Sequence, residues 1–353
     1  MNSEQREKIL LLLLNDIDKK QAAYIFGQML PSKAADILNQ MNSKKREKIL
    51  LLLNDLNDKK ARAIFSHIKQ DKGAEVLLSL NEINQKKAAY ILGVIDKDIA
   101  VKTLIDMKPN KAAEILRKMN PEKAAAILST KEKKDAADIL NQIKQEQAVK
   151  IFHQMLPSNA ANILSIMNES IVIHILDKID KEKAAEILDT MDLSSAVKIL
   201  SDMNEKKAAE ILNKMNPKKA AEIFNAATLN KALHILMILN GKETADIFDY
   251  VIPIKAANIL NQIDKKKAVE IFTEMLPSNA ANILSVMDGS IGEDILNIMP
   301  SDIAARILNT NKIANILSRM NKNKMAEILN KINSSTGANQ DNELAILKNE
   351  EYG

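Results

Sequence analysis

The 353-residue sequence contains no cysteine and no tryptophan, and aromatic residues make up only 3% of it. The missing cysteines exclude disulfides, thiolate metal sites and cysteine nucleophiles. The scarcity of aromatic residues means that the core must be aliphatic, built from Ile, Leu, Ala and Met. Eight glycines and eight prolines leave little material for β-turns, and helix-forming residues dominate the composition.

No stretch of the sequence is long and apolar enough to cross a bilayer, which takes about 20 residues. The apolar run Ile9–Leu14 has charged residues on both sides and lacks the cleavage site of a signal peptide. We therefore expect a cytoplasmic protein, with secretion into a host cell as the alternative. The net charge of +4, from 50 basic and 46 acidic residues, does not by itself indicate a polyanionic partner.

A short repeated phrase dominates the chain. In "KKAAEILNKMNPKKAAEIF" (206–224), Ala208, Ile211, Leu212 and Met215 follow the i, i+3, i+4, i+7 spacing of one helix face. The phrase recurs as "KAAEILRKMNP" (111–121) and "KAANILNQID" (255–264). We count about 27 such units, roughly 11 to 14 residues apart, from the first residues to about residue 333.

Each unit is predicted to be a helix of about two turns followed by a tight corner. Proline ends one helix and suits the first turn of the next, and all eight prolines fall one or two residues after the terminal Met or Ile of a unit: Pro31, Pro109, Pro121, Pro157, Pro217, Pro253, Pro277 and Pro300. The corners also carry helix-capping residues, such as Asn204, Asn216 and Asp264. The six phenylalanines all follow an Ile in the position that Leu usually holds, which predicts core packing: Phe26, Phe65, Phe152, Phe224, Phe248 and Phe272.

Two-turn helices are unstable alone, so each unit must bury its apolar face against neighbouring units. The sequence therefore predicts an all-α solenoid of about 27 repeats of roughly 12 residues, armadillo- or HEAT-like in architecture and continuous over residues 1–333. The polar segment 334–353 leaves the repeat and is predicted to be a disordered tail. Its Leu344–Leu347 patch also allows a docking motif or an export signal.

A longer duplication preserves the phase of the repeat. Residues 137–167 match residues 257–287 at 22 of 31 positions, and the shift of 120 residues equals ten units of twelve. A looser third copy is "YIFGQMLPSKAADILNQM" (24–41). Copying of this kind lengthens a surface, which favours binding over catalysis.

The segment "MKPNKAAEILRKMNPEKAAAILS" (107–129) resembles the N-terminal cytosolic domain of the magnesium transporter MgtE, and also the related helical modules of the flagellar proteins MotE and FliG. The resemblance extends over nearly the whole chain to about residue 333. It implies short helices wound into a right-handed superhelix. The 353 residues contain no CBS pair and no membrane domain like those of the transporter, and their unit starts are rich in Lys. The resemblance therefore implies no ion transport by this chain alone and leaves magnesium sensing as one alternative.

The sequence predicts no catalytic residue, no cofactor and no metal site, and we expect a protein that is not an enzyme. The four histidines, His67, His153, His174 and His234, are scattered without metal-ligand spacing. The eight glycines form no phosphate loop. Carboxylates recur once per unit at a predicted solvated position, as at Glu210, Glu222 and Glu270.

The lysines at the starts of helices are the candidate partner-binding residues. A cation there opposes the helix dipole, so selection for a basic ridge on one edge of the solenoid is one interpretation. The other is composition without function, with Glu210 and Glu222 partly neutralising each Lys pair at i, i+3. The candidates are Lys206, Lys207, Lys218, Lys219, Lys265, Lys266 and Lys267. Tyr24 and Tyr90, each in a slot that is usually polar, are further candidates for contact.

The composition, the repeat and the duplication together predict a non-catalytic scaffold or adaptor that binds a protein partner through a long repetitive surface. A secreted effector of an intracellular bacterium, using the solenoid to bind a host protein, is one alternative. A nucleic-acid or anionic-surface binder acting through the lysines is another, and steep salt dependence of binding would favour it. A magnesium-sensing module is the third.

Overall fold

The structure, a computed structural model, describes residues 19–40, 58–68, 70–309 and 322–333. These residues form 24 helices and no strand, which confirms the all-α class. They divide between two compact units, Met1–Lys183 and Ala184–Gly353, with the division inside α13 (Lys181–Thr190).

The helices of the first unit are α1 (Lys19–Gln28), α2 (Pro31–Gln40), α3 (Asp58–Phe65), α4 (Gln70–Ile83), α5 (Gln85–Val94), α6 (Lys97–Ile105), α7 (Pro109–Leu116), α8 (Pro121–Leu128), α9 (Lys133–Leu140), α10 (Gln145–Gln154), α11 (Pro157–Leu164) and α12 (Glu169–Lys178). Those of the second unit are α14 (Leu193–Asp202), α15 (Glu205–Leu212), α16 (Pro217–Ala226), α17 (Leu229–Ile238), α18 (Gly241–Phe248), α19 (Pro253–Leu260), α20 (Lys265–Glu274), α21 (Pro277–Leu284), α22 (Gly289–Ile298), α23 (Ser301–Leu308) and α24 (322–333).

The period of the repeat is constant over most of the described chain. From α5 to α23 the helix starts advance by one unchanging interval, the step from Gln85 to Lys97 and from Lys97 to Pro109. Helices of 8 residues, such as α7, and of 10 residues, such as α10, make up most of this stretch, as predicted, whereas α4 has 14 residues. Proline sets many of the starts: seven of the eight prolines are the first residue of a helix, and Pro300 directly precedes α23.

Side chains at the corners cap the helix starts as the sequence predicts. The Oδ1 atom of Asn204 accepts the backbone N–H groups of Lys206 and Lys207 at 3.1 and 3.4 Å. Asn216 and Asp264 accept the corresponding N–H groups of α16 and α20 at 3.0 and 2.9 Å. Each capping oxygen satisfies a donor that has no partner within its own helix.

Within each unit, a helix packs on the second helix along the chain, as α8 does on α10 and α18 does on α20. This pattern is that of a solenoid, in which each helical repeat contacts only the repeats next to it. The core between the stacked helices consists of the paired Ala, the Ile and the residue after it. All six phenylalanines are buried there, and the rings of Phe224 and Phe248 meet edge to face at 5.8 Å.

In the second unit, polar contacts link a corner to the second corner before it along the chain. Oδ1 of Asn225 accepts the N–H of Ile252 at 3.0 Å, and the carboxylate of Asp249 accepts the N–H of Leu276 at 3.1 Å. We call the corners before α15, α17, α19, α21 and α23 the Ile252 row. The corners before α14, α16, α18, α20 and α22 form the Asn216 row, where the carboxylate of Asp189 accepts the N–H of Asn216 at 3.1 Å.

Parts of the sequence-based prediction are not tested by this structure. Continuity over residues 1–333, the right-handed superhelix and the count of about 27 units stay predictions. The tail 334–353 and its Leu344–Leu347 patch lie outside the described residues.

Candidate functional site

The seven candidate lysines are divided between the two rows of corners. Lys206 and Lys207 open α15 in the Ile252 row. The other five open α16 and α20 in the Asn216 row: Lys218, Lys219, Lys265, Lys266 and Lys267. The corner before α18 lies between these two groups. The structure thus brings five of the seven into one row and leaves two in the other.

Several of these lysines contact other parts of the chain. Lys219 pairs with Glu222 at 2.9 Å, and Lys207 approaches Glu210 at 3.7 Å. These are the i, i+3 pairs that the sequence predicts. Lys218 holds its Nζ atom 5.4 Å from the centre of the Tyr250 ring, within the range of a cation–π contact.

The α20 lysines make longer-range contacts. Lys265 pairs with Asp294 of α22, and Lys267 donates from its Nζ to the backbone carbonyl of Leu239 at the end of α17. The Lys266 side chain is exposed. The candidate lysines therefore differ in how far each is available to a partner.

Lysine in the third position of a helix has a structural role that sequence reasoning missed. Lys231 and Lys255 donate to the carbonyls of Met203 and Ala227, each 28 residues earlier, at 2.8 and 2.7 Å. Each ammonium thereby reaches the carbonyl end of an earlier helix, where the dipole favours a cation. The recurring Lys directly before the buried Ala is the sequence signal for this contact.

The Ile252 row carries an exposed apolar patch. Tyr250, Ile252, Ile254 and Leu276 all leave about half or more of their side chains uncovered. The hydrogen bond that the N–H of Leu276 donates to the Asp249 carboxylate connects the two corners that present them. An exposed cluster of large apolar side chains is uncommon on a monomer and marks a surface suited to protein contact.

An exposed leucine like Leu276 is present in each copy of the duplicated block. The sequence "MLPS" occurs three times, and its Leu is 70% exposed at Leu30, 67% at Leu156 and 57% at Leu276. Leu156 and Leu276 are N-cap residues and make no side-chain capping bond. Asn in the same place before Pro does cap, as at Asn120, and such a cap stabilises by about 1 kcal/mol. The signal available in the sequence was Leu in a slot that usually holds Asn or Asp.

The remaining candidate residues form no catalytic group within the described ranges. His153 and His234 face single carboxylates, Asp180 at 3.4 Å and Glu205 at 3.7 Å. Tyr24 and Tyr90 are exposed in the first unit.

Magnesium is the metal that the family resemblance suggests. It prefers carboxylate oxygens, and no three His, Asp or Glu side chains of the described part converge into a group that would hold a metal. These residues do not fit a magnesium site and support no metal role. No described helix combines the length and the apolar character that a membrane span requires.

Comparison with protein families identifies the repeat. The model of the MgtE intracellular N domain matches the chain three times, over residues 74–141, 131–228 and 215–310. A comparison with characterised proteins found no significant match. The three family matches together span more than half of the chain, which therefore belongs to the MgtE intracellular N domain family.

Proposed function

We propose that this protein is a non-catalytic scaffold that binds a protein partner through apolar residues at its corners. The observation that carries the proposal is the exposure of Leu30, Leu156 and Leu276 at equivalent corners of three related blocks. At the last two, Leu stands where Asn would cap the helix. A side chain that is unfavourable for the folded protein by about 1 kcal/mol and exposes its apolar surface is well explained by a contact with a partner.

The energetics suit several weak contacts in place of one strong site. Full burial of one Leu in an interface contributes about 1.5–3 kcal/mol, which gives little affinity on its own. Three such contacts on one chain add through effective concentration when the partner spans them. The proposed partner is therefore elongated or multivalent, with apolar pockets or ridges that repeat.

The test is a nuclease-treated pull-down with the full chain, eluted by stepped salt and analysed by mass spectrometry. The wild type is compared with the Leu30→Asn, Leu156→Asn, Leu276→Asn triple variant. The matched control is Lys108→Asn, since Lys108 also precedes a proline at a helix start and makes no capping bond. We expect the triple variant to fold at least as stably as the wild type and to lose the partner.

The control variant should gain the cap and keep the partner. Retention of the same partner by the wild type and the triple variant alike would contradict the proposal. A wild type that retains no protein, but retains nucleic acid when nuclease is omitted, would also contradict it.

A second candidate function is the binding of an anionic surface or nucleic acid by the five lysines of the Asn216 row. The exposed side chains of Lys218, Lys265 and Lys266 in that row support it. Affinity for polyanions should then fall steeply with salt, and Gln in place of these three lysines should flatten the slope. An unchanged slope would exclude this surface.

The family description supports an intracellular location, and we propose the bacterial cytoplasm. Secretion into a host cell as an effector is the alternative. Fractionation of the producing cells and of infected host cells distinguishes the two.

A further inference from the structure

One groove in the first unit lies where the repeat lacks a side chain. The groove has a volume of about 320 Å³ and lies between α5 and the corner that opens α8. Gly93 forms part of its lining, together with Tyr90 and Met119. A Cβ atom on Gly93 would meet Lys123 and Met119 at 3.7 and 3.9 Å, which are ordinary contacts. The space is therefore large enough for a side chain.

Four other corners show a side chain that fills this position. The residue 27 positions before a helix N-cap accepts that N-cap's backbone N–H through its side chain in four places: Asn141 to Asn168 at 3.2 Å, Asp189 to Asn216 at 3.1 Å, Asn225 to Ile252 at 3.0 Å and Asp249 to Leu276 at 3.1 Å. Gly93 is 27 positions before Asn120 and has no side-chain oxygen to offer. None of the described residues accepts the N–H of Asn120.

The charges around the groove favour an anion. Lys86, Lys118 and Lys123 line it, against one carboxylate, Glu122. The three lysine side chains are exposed, and their ammonium groups make no ion pair within the described part of the chain. Three cations, a backbone donor at a helix start and an apolar floor of Tyr90 and Met119 fit a carboxylate attached to an apolar neighbour.

The sequence shows the same pairing of Tyr and Gly once more. "YIFG" (24–27) and "YILG" (90–93) both place Gly three residues after a Tyr, on the same helix face. The helix start that lies 27 residues after Gly27 falls outside the described residues. The pairing indicates that the Tyr ring and the missing side chain belong to one feature.

We propose that this groove binds an acidic peptide segment of the protein partner. A Glu or Asp carboxylate of that segment accepts the N–H of Asn120, in the place that Asp189 and Asp249 occupy at their own corners. An adjacent apolar side chain of the segment packs on Tyr90 and Met119. This inference rests on the proposed scaffold function and specifies the chemistry of one contact.

The test uses Gly93→Asn. The new side-chain oxygen supplies an acceptor for the N–H of Asn120, and the substitution does not change the charge of the protein. The matched control is Ser201→Asn, which adds the same side chain at the same position of another repeat, in the second unit. The probe comes from a random heptapeptide library displayed on phage and selected on the full chain. The selected consensus peptide and its Glu→Gln or Asp→Asn form are then titrated by fluorescence anisotropy.

We expect the consensus to contain Glu or Asp beside an apolar residue. Its affinity should fall at least about tenfold for Gly93→Asn and for the neutral peptide, as expected for the loss of a charge-assisted hydrogen bond. Ser201→Asn should leave the affinity unchanged. In Gly93→Asn the amide of Asn120 should exchange more slowly with solvent, which shows that the new side chain occupies the groove.

Three results would overturn the inference: a consensus without acidic residues, equal affinity for the wild type and Gly93→Asn, or a selection that yields no peptide dependent on Gly93. The two proposals fail separately. A partner that is lost from the triple Leu variant but kept by Gly93→Asn removes the groove and leaves the scaffold. If the triple Leu variant keeps the partner, the proposed Leu contacts are excluded, independently of the result for the groove.

Discussion

Lys131 occupies a position that an apolar residue fills at every other corner between residues 95 and 299, so Lys131→Met should stabilise the first unit. Its side chain is 9% exposed, and its Nζ atom is buried without a hydrogen-bond partner among the described residues. Burial lowers the pKa of Lys131, while the nearby carboxylates of Asp135 and Asp106 oppose the shift. A buried polar group without a partner costs about 1–3 kcal/mol, and Met removes that cost while keeping a similar length.

The sign of the pH dependence follows from the direction of that shift. Between the lowered pKa of Lys131 and its ordinary value of 10.5, the unfolded chain binds more protons than the folded one. The stability of the wild type should therefore rise with pH in this window. Lys131→Met should lack this rise and should be the more stable protein at neutral pH.

Hydrogen exchange is the appropriate assay, because stability in repeat proteins is local. We expect the amides of α8 and α9 to be protected about 5- to 100-fold more in Lys131→Met at neutral pH. Lys134→Met is the matched control, since Lys134 is exposed in the same stretch. Equal protection in the wild type and Lys131→Met, or an equal gain in the control, would refute the reasoning.

Four further substitutions test the packing. Gly241→Ala should destabilise the second unit by about 1–3 kcal/mol, because a Cβ there lies 3.0 Å from Cβ of Glu270 and 3.1 Å from its backbone. Gly93→Ala is the control. A Cβ at Gly93 makes no contact under 3.7 Å, so this substitution should not lower the denaturation midpoint. Asn225→Ala removes the acceptor of the N–H that opens α19 and should cost about 0.5–1.5 kcal/mol, visible as faster exchange of that amide. Phe272→Ala should cost about 3–5 kcal/mol in denaturant unfolding, and a loss below about 1 kcal/mol would contradict its place in the core.

The sequence was sufficient for the features that depend on local chemistry. Proline has a fixed φ and no N–H, so its slot marks a helix start wherever it occurs. Asn204 and Asn216 cap because the N–H groups they serve lie close by in the sequence, in the first turn of the same helix. The restriction of Phe to one phase of the repeat identified it as core for the same reason, since helical periodicity alone places it on the buried face.

Features that depend on stacking could not be predicted. Alternate corners belong to different rows, so Lys206 and Lys218, which open consecutive helices, lie in different rows. The bond from Ile252 to Asn225 and the one from Lys255 to Ala227 each join a corner to the second corner before it. Such an offset becomes visible only once each helix is known to pack on the second helix along the chain.

The most direct test of the scaffold proposal is the affinity of the captured partner for a graded set of full-length variants. Leu30→Asn, Leu156→Asn and Leu276→Asn are measured singly, in pairs and together, with Lys108→Asn as the control. The proposal predicts that affinity falls with each replacement and is lost with all three, while the control binds like the wild type. Wild-type affinity in the triple variant would contradict it.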